Sequence, residues 1–257
     1  MVKDKDGVCP VFCIPDDMTE EEIPRFLDGI MYQLKHLEKP QIVGGDVLTD
    51  WAKAKGKLFV RVMNYINNAT WLVKNEIPNR IYGDIALVPY VQVGPHSCTA
   101  CKSKLCEGWG ISPTEILDIA LENAQRLKPI HCQTLSGVLH NMAPELSDNE
   151  NEIPNVPYVI TNKEMVYGAS AIFYDGTLET IADMFDDSFW ILPSSTEEVL
   201  VMKSDDDAGH ELYQMVKSIN GSYVNSDEFL SDNPLFYNRT WKQLYQYNPF
   251  TGHLDIA

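Results

Sequence analysis

Three cysteines and a histidine lie close together in the spacing His-x-Cys-x2-Cys-x4-Cys, as His96, Cys98, Cys101 and Cys106. Thiolate and imidazole groups are the ligands that zinc binds with tetrahedral geometry. We expect Cys98–Glu107 to be a strand, in which alternate side chains point to opposite faces. Cys101 would then face away from the other two thiols. The four residues are therefore weak metal candidates, although His131 and Cys132 could supply a more distant ligand.

A polar stretch, Ser194-Ser195-Thr196-Glu197-Glu198, separates the apolar runs Trp190–Leu192 and Val199–Met202. Hydroxyl and carboxylate groups at such a position commonly accept hydrogen bonds from turn amides. Paired carboxylates can also perform acid–base chemistry or bind a divalent cation. Together with Asp84 and Asn162, this stretch forms our candidate polar site at the end of a sheet. Turn chemistry remains the favoured interpretation.

The segment Gly168-Ala169-Ser170-Ala171-Ile172 matches only half of the nucleophile elbow of hydrolases. The second glycine, which permits the sharp strand-to-helix turn, is missing. We therefore do not expect Ser170 to be a nucleophile. The sequence also lacks a phosphate-binding P-loop, a dinucleotide-binding glycine motif and a zinc-protease motif, so we predict no cofactor.

The chain of 257 residues carries 20 Lys and Arg against 37 Asp and Glu, a formal net charge of −17. Such a field repels nucleic acid and anionic membranes, and it favours a basic protein as partner. No apolar run approaches the roughly 20 residues of a membrane-spanning helix, and the N-terminus lacks the apolar core of a signal peptide. We therefore expect a cytoplasmic protein whose six cysteines are reduced.

Acidic residues are concentrated in Asp16–Glu22, Ser147–Glu152 and Asp205–Asp207. The simplest interpretation is that these runs are solvated surfaces and loops. An alternative is a negative surface that imitates nucleic acid and binds or inhibits a basic partner. Formal charge does not distinguish these two possibilities.

Residues 156–203 predict the centre of the fold. Tyr158–Thr161, Ala169–Tyr174, Trp190–Leu192 and Val199–Met202 are apolar runs typical of strands, and Thr177–Phe185 has helical spacing. Near-continuous apolar runs indicate strands that are covered on both faces. We expect Trp190–Leu192 to pair with Val199–Met202 in the middle of the sheet.

The flanking sequence predicts further helices and strands. Ser112-Pro113-Thr114-Glu115 predicts a capping box that begins a helix. His210–Ile219 has an amphipathic pattern with an inward face, formed by Leu212, Met215, Val216 and Ile219. Asp84–Val93 predicts a strand at an edge or a bulge, because it contains Pro89. Helices and strands do not alternate strictly, so we predict an α+β fold with mixed, largely antiparallel sheets and packed helices.

The stretch Ser147–Asn155 is acidic and contains a proline, as a linker or a long loop does. It divides the chain into an N-terminal α+β half, residues 1–146, and a C-terminal α+β half, residues 156–257. The linker itself would then be residues 147–155. A single continuous domain is the alternative.

Several segments carry a family resemblance: TDWAKAKGKLFVRVMNY, YGDIALVPYV, WGISPTEILDIALENAQRLKP, ILPSSTEEVLV and MVKSINGSYVNSDEFLSD. Over roughly residues 45–255 the chain resembles an uncharacterised family of bacterial domain-of-unknown-function proteins from gut anaerobes. The resemblance is specific in the ILPSS and LSD segments. It implies a shortened N-terminus here, since only Met1–Ile14 precedes the first long helix, and it implies no activity.

From these observations we expect a protein-binding or accessory protein with an acidic interaction surface. The alternative is a hydrolase-like or metal-assisted enzyme that uses the Ser194–Glu198 turn. If Asp84, Asn162, Ser194 and Glu198 line one pocket, the enzyme hypothesis gains support. If they are scattered, the binding hypothesis is favoured.

Overall fold

The computed structural model describes residues 19, 23, 24, 26–29, 45–94, 97–142, 156–205 and 207–257. The chain divides into two compact units, Met1–Val43 and Gly44–Ala257. In the first unit, residues 23, 24 and 26–29 are helical. His96, residues 16–18 and 20–22 of the first acidic run, residues 147–155 and Asp206 lie outside the described residues. Within the described ranges, none of the helices has the length and hydropathy that a membrane span requires.

The second unit begins with a four-stranded antiparallel sheet and its helices. The strands are β1 (Leu58–Asn64), β2 (Arg80–Tyr82), β3 (Ile85–Gly94) and β4 (Ser97–Ala100), and β3 pairs with the other three. The helices are α1 (Gly45–Thr49), α2 (Trp51–Ala54), α3 (Tyr65–Lys74), α4 (Ser103–Trp109) and α5 (Pro113–Leu127), and a 3-10 turn spans Lys55–Lys57. The buried face of α5 packs against β1 in the main core.

The prediction that Pro89 marks an edge strand or a bulge is wrong on position: β3 has partners on both sides, and its register shift lies between Gln92 and Gly94. A proline nitrogen cannot donate to a strand ladder. The carbonyl of Pro89 accepts from the Cys101 amide at 2.9 Å, and the nitrogen of a residue points to the same side of its strand as the carbonyl. The Pro89 nitrogen therefore points away from β1, toward the side of β3 on which β2 ends and β4 begins. Pro89 for this reason removes no hydrogen bond from the pairing of β3 with β1.

A seven-stranded antiparallel sheet forms the rest of the unit. Its strands are β5 (Ile130–Thr134), β6 (Tyr158–Asn162), β7 (Phe189–Leu192), β8 (Val199–Met202), β9 (Leu235–Asn238), β10 (Gln243–Asn248) and β11 (His253–Ile256). The order is β11-β10-β9-β7-β8-β6-β5, so β7 is the middle strand. The predicted pairing of Trp190–Leu192 with Val199–Met202 is confirmed. The pairing of β5 with β6 joins residues on either side of 147–155 in one sheet.

Three helices and a 3-10 segment accompany this sheet: α6 (Leu135–Met142), the 3-10 helix Gly168–Phe173, α7 (Thr177–Phe185) and α8 (Gly209–Tyr223). The α+β prediction, with antiparallel sheets and packed helices, is therefore confirmed. The predicted N-cap is also confirmed, since Pro113 begins the helix and the Ser112 hydroxyl accepts from the Glu115 amide at 3.2 Å.

Two local predictions are wrong and a third is only partly confirmed. The predicted strand Ala169–Tyr174 is mostly the 3-10 helix, and Cys98–Glu107 divides into the end of β4 and most of α4. Helix α8 continues to Tyr223, and of its predicted inward residues Leu212 and Val216 are buried, whereas Met215 and Ile219 are exposed. A short apolar run that is buried on all sides has no periodicity that distinguishes strand from helix, which explains the first error.

Candidate functional site

The Ser194–Glu198 turn is stabilised by its own side chains. The Tyr167 amide donates to Oε2 of Glu197 at 2.9 Å, and the Thr196 hydroxyl donates to Oε1 at 3.3 Å. The Glu197 amide in turn donates to the Ser195 hydroxyl at 3.0 Å. These contacts are the turn chemistry that the composition favours, and they occupy the Glu197 carboxylate with structural hydrogen bonds.

Asn162 lies beside this turn and orders the loop that follows β6. Its side-chain amide donates to the Val166 carbonyl at 2.8 Å, and its Oδ1 accepts from the Glu164 amide at 2.9 Å. The Thr161 hydroxyl donates to the Glu197 carbonyl at 2.8 Å. The structure therefore brings the Asn162 loop and the Glu197 turn together.

The other two residues of the turn have different surroundings. The Ser194 carbonyl accepts from the Leu230 amide at 3.1 Å, which joins the turn to the segment before β9. Glu198 is exposed as a residue, but its carboxyl group is partly enclosed. This partial burial, followed by the negative charge of Glu197, raises the pKa of Glu198. Among the described residues it has no ion-pair partner.

Asp84 lies in a separate polar cluster at the turn between β2 and β3. Its carboxylate accepts from the Ser231 hydroxyl at 2.8 Å, from the Asn233 side chain at 3.1 Å and from the Gln246 side chain. All three donors are neutral, and burial raises the pKa of Asp84. Ser231 is completely buried. The cluster is a buried structural network, to which Asn64 and Asn220 also contribute through the Leu230 and Ser231 carbonyls.

The candidate polar residues thus form two groups. The Asn162 loop and Glu197 contact each other, whereas Asp84 lies in the buried network, and the backbone bond from the Ser231 amide to the Pro193 carbonyl (2.9 Å) connects the two. A cleft of about 400 Å³ lies elsewhere, between α3, β2 and α5, and none of the candidate residues lines it. Ser170 is buried in the 3-10 helix, with its hydroxyl 3.3 Å from the Tyr167 carbonyl.

Residues 163–167 form an exposed loop, which we call the Tyr167 loop. Met165, Val166 and Tyr167 are 60%, 47% and 38% exposed. Met165 and Tyr167 both have left-handed backbone conformations, with φ near 53° and 52°, which are uncommon for residues other than glycine. The bond that Asn162 donates to the Val166 carbonyl and the bond that the Tyr167 amide donates to Glu197 compensate for this strain.

Arg61 lies beneath the Tyr167 loop on the surface of the first sheet. Its guanidinium carbon is 3.6 Å from the centre of the Tyr167 ring and 4.6 Å from that of Tyr90. Nη2 donates to the Cys98 sulfur at 3.0 Å, while Nε is buried without an acceptor. Burial raises the pKa of Tyr90, and the Arg61 cation partly offsets that effect. Nothing in the sequence of β1 indicates these contacts, because Tyr90, Cys98 and Tyr167 are 29 to 106 positions away from Arg61.

Cys98, Cys101 and Cys106 do not lie on one strand with side chains on alternate faces, as the sequence predicts. Cys98 lies on β4, whereas Cys101 and Cys106 are buried thiols before and within α4. Burial raises the pKa of Cys106 to about 11 and that of Cys101 further. In the described ranges, no group of three or more His, Cys, Asp or Glu side chains is arranged to bind a metal ion. His131 and Cys132 lie on β5, where Cys132 is exposed.

The protein is an α+β unit with two antiparallel sheets, a buried Asp84 network and an exposed Tyr167 loop that stacks on Arg61. The chain belongs to a family of unknown function, DUF5688, whose model matches residues 16–239. This match confirms the resemblance to an uncharacterised family. Neither a curated protein nor a solved structure matches the chain significantly.

Proposed function

We propose that this protein binds a basic protein partner through the Tyr167 loop. The observation that supports the proposal is the row of exposed apolar side chains at Met165, Val166 and Tyr167. Exposed large apolar residues that are contiguous mark protein-interaction surfaces more often than residues that are scattered singly. Tyrosine and methionine are also enriched at protein interfaces.

The backbone of the loop is ordered before any partner arrives. Its amides and carbonyls bond to Asn162 and Glu197, and Tyr167 stacks on Arg61. A surface that is already fixed loses less conformational entropy on binding. The same contacts support binding more than catalysis, because they occupy the Glu197 carboxylate that acid–base chemistry would need.

The charge of the chain supports a basic partner. The formal net charge is −17, and Glu198 is an exposed residue next to Glu197, which contacts the loop. Complementary charge mainly increases the rate of association. We also propose a cytoplasmic location, which the free thiols of Cys98, Cys101, Cys106 and Cys132 support.

The test is affinity capture from a native lysate, followed by measurement of the association rate between the protein and the captured partner. The loop variant combines Met165→Asn, which tolerates the left-handed backbone, with Val166→Ser. The matched control is Phe250→Ser, because Phe250 is 97% exposed and lies in the turn between β10 and β11. We expect the loop variant to lose the partner and the control to retain it.

The association rate should fall as salt rises, because salt screens charges over about 8 Å at physiological ionic strength. A partner that binds the loop variant as well as the wild type contradicts the assigned surface. An association rate that does not change with salt contradicts the proposed basic character of the partner.

A further inference from the structure

Strand β5 lies at one end of the seven-stranded sheet, so only one of its sides is paired, with β6. Edge strands that could pair with another chain are usually protected by a charged side chain, a proline or a bulge. The sequence of β5, Ile-His-Cys-Gln-Thr, contains no carboxylate, lysine, arginine or proline, and its register with β6 is continuous. The opposite edge strand, β11, carries the exposed Asp255. β5 therefore lacks the features that protect an edge.

The hydrogen-bond pattern shows which residues of β5 face outward. The Leu135 amide donates to the Pro157 carbonyl at 2.8 Å, in continuation of the register between β5 and β6. Alternate residues of an antiparallel strand bond to opposite sides, so every second residue counted back from Leu135 faces β6. The backbone groups of Ile130, Cys132 and Thr134 therefore face the open edge. In the described part of the chain, no group bonds to the amides of these three residues.

Helix α6, which follows β5, leaves the centre of this edge open. The helix contacts β6 as well as β5, and Cys132, the central residue of β5, is exposed. Thr134 caps the helix, since its hydroxyl accepts from the Gly137 amide at 3.1 Å, and the carbonyl of a cap residue bonds within its helix. The open edge then offers the carbonyls of Ile130 and Cys132 together with the outward amides.

The charge around β5 favours a second copy of the chain at this edge. No Asp or Glu occurs between Glu122 and Glu145, although 37 of the 257 residues are acidic. Glu164, which follows β6, forms an ion pair with Lys128. Two copies with a net charge of −17 repel each other over most of their surfaces, and this stretch lacks the charges that cause the repulsion. A basic partner, in contrast, gains no complementary charge from it.

We propose that two copies of the chain pair through β5, antiparallel to each other and with the twofold axis at Cys132. In this register the Cys132 amide of each copy donates to the Cys132 carbonyl of the other, and the Thr134 amide donates to the Ile130 carbonyl. Each bond occurs twice by symmetry, and together they join the two seven-stranded sheets into one. Because the same patch meets itself, the assembly closes at a dimer.

Analytical ultracentrifugation of the full chain tests the dimer. Cys132→Pro removes only an outward amide, because the nitrogen of residue 132 faces away from β6. The lost bond counts twice by symmetry, so the dissociation constant of the dimer should rise by about tenfold or more, given what a hydrogen bond contributes. Cys132→Lys is a second variant, which places like charges directly opposite each other. The matched control is His253→Lys, an exposed residue of the opposite edge strand β11, which should dimerise as the wild type does.

A short bismaleimide that joins two thiols tests the register. Residues directly opposite in a hydrogen-bonded antiparallel pair have Cα atoms about 5.5 Å apart, so the reagent should link Cys132 of one copy to Cys132 of the other. Cys132→Ser should lose this covalent dimer and still dimerise in the centrifuge.

A wild-type chain that sediments as a monomer at every concentration contradicts the proposal. A dimer that is unchanged in both Cys132→Pro and Cys132→Lys, with circular dichroism like that of the wild type, forms through another surface and contradicts it as well. A monomer whose captured partner is lost on Cys132→Lys would assign the edge to a strand of another protein instead. The variant of the Tyr167 loop, Met165→Asn with Val166→Ser, should dimerise normally, so failure of this proposal and failure of the proposed function give different results.

Discussion

The hydroxyl of Ser231 donates to the carboxylate of Asp84 at 2.8 Å, although the two residues are 147 positions apart. Asp84 lies between β2 and β3 of the first sheet, and Ser231 precedes β9 of the second. Asn233 and Gln246 donate to the same carboxylate. The network therefore connects the two sheets through a buried acid that no cation neutralises among the described residues.

Ser231→Ala removes one of the three donors to Asp84. Because Ser231 is fully buried, water cannot readily replace the lost hydroxyl. We expect the free energy of unfolding to fall by about 1–3 kcal/mol, the usual cost of leaving a buried polar group without its partner. Urea denaturation measures this difference. The matched control is Ser226→Ala, an exposed serine five residues earlier, which should change stability by less than about 0.5 kcal/mol.

The raised pKa of Asp84 predicts a pH dependence of a defined sign. In the unfolded chain an aspartate titrates near pH 3.9, and in the folded protein it keeps its proton to a higher pH. The folded state therefore binds more protons in this window, and stability decreases as pH rises through it. Asp84→Asn removes this titration.

Urea denaturation of the wild type and of Asp84→Asn between about pH 4 and pH 7 checks this sign. The stability of the wild type relative to the variant should decline as pH rises from about 4. The amide substitution itself can shift all values by a constant, so the comparison rests on the slope. A relative stability of the wild type that rises with pH would mean that the folded protein favours the ionised form of Asp84.

The central strands could be predicted from the sequence, whereas the polar network and the Arg61 cluster could not. Trp190–Leu192 and Val199–Met202 are adjacent apolar runs with turn residues between them, so their pairing follows from local pattern. The LSD segment is visible in the sequence, but nothing in it indicates Asp84 as its partner. Contacts of this kind depend on how two sheets pack, and hydrophobic periodicity does not contain that information.

The 3-10 helix after the Tyr167 loop shows a second limit of the sequence. Its residues are apolar and β-prone at Ile172 and Phe173, which predicts a strand. In the structure the Gly168 and Ala169 amides donate to the Glu197 and Thr196 carbonyls at 2.9 and 3.1 Å. These tertiary bonds turn the backbone away from the sheet and override the local propensity.

Leu192→Ala tests the central place of β7. Leu192 is buried on the middle strand and packs in a core cluster with Trp190 and Leu212. Truncation of a buried leucine removes favourable burial and leaves a cavity, so we expect a loss of about 2–5 kcal/mol. Thermal or urea unfolding measures it. A loss below about 1 kcal/mol would be the value expected of a surface position and would contradict the organisation described above.

Gly168→Ala tests the close packing that positions the Tyr167 loop. A Cβ at residue 168 would lie 2.1 Å from the Thr161 hydroxyl oxygen, 2.6 Å from the Asn162 amide nitrogen and 2.8 Å from the Glu197 carbonyl oxygen. Two of these atoms belong to the backbone, so a change of side-chain rotamer cannot relieve the overlap. We expect a loss of about 1–3 kcal/mol, as for other overpacked positions, together with shifted NMR signals in the loop.

Gly221→Ala is the matched control for this substitution. Gly221 lies in helix α8, and a Cβ added there meets nothing within 4 Å. Alanine is favoured over glycine in a helix by about 0.8–1 kcal/mol, so this variant should be more stable than the wild type. The two glycine variants should therefore move the urea midpoint in opposite directions. If Gly168→Ala leaves both the midpoint and the loop signals unchanged, the contact between Gly168 and the Glu197 turn does not determine the position of the Tyr167 loop.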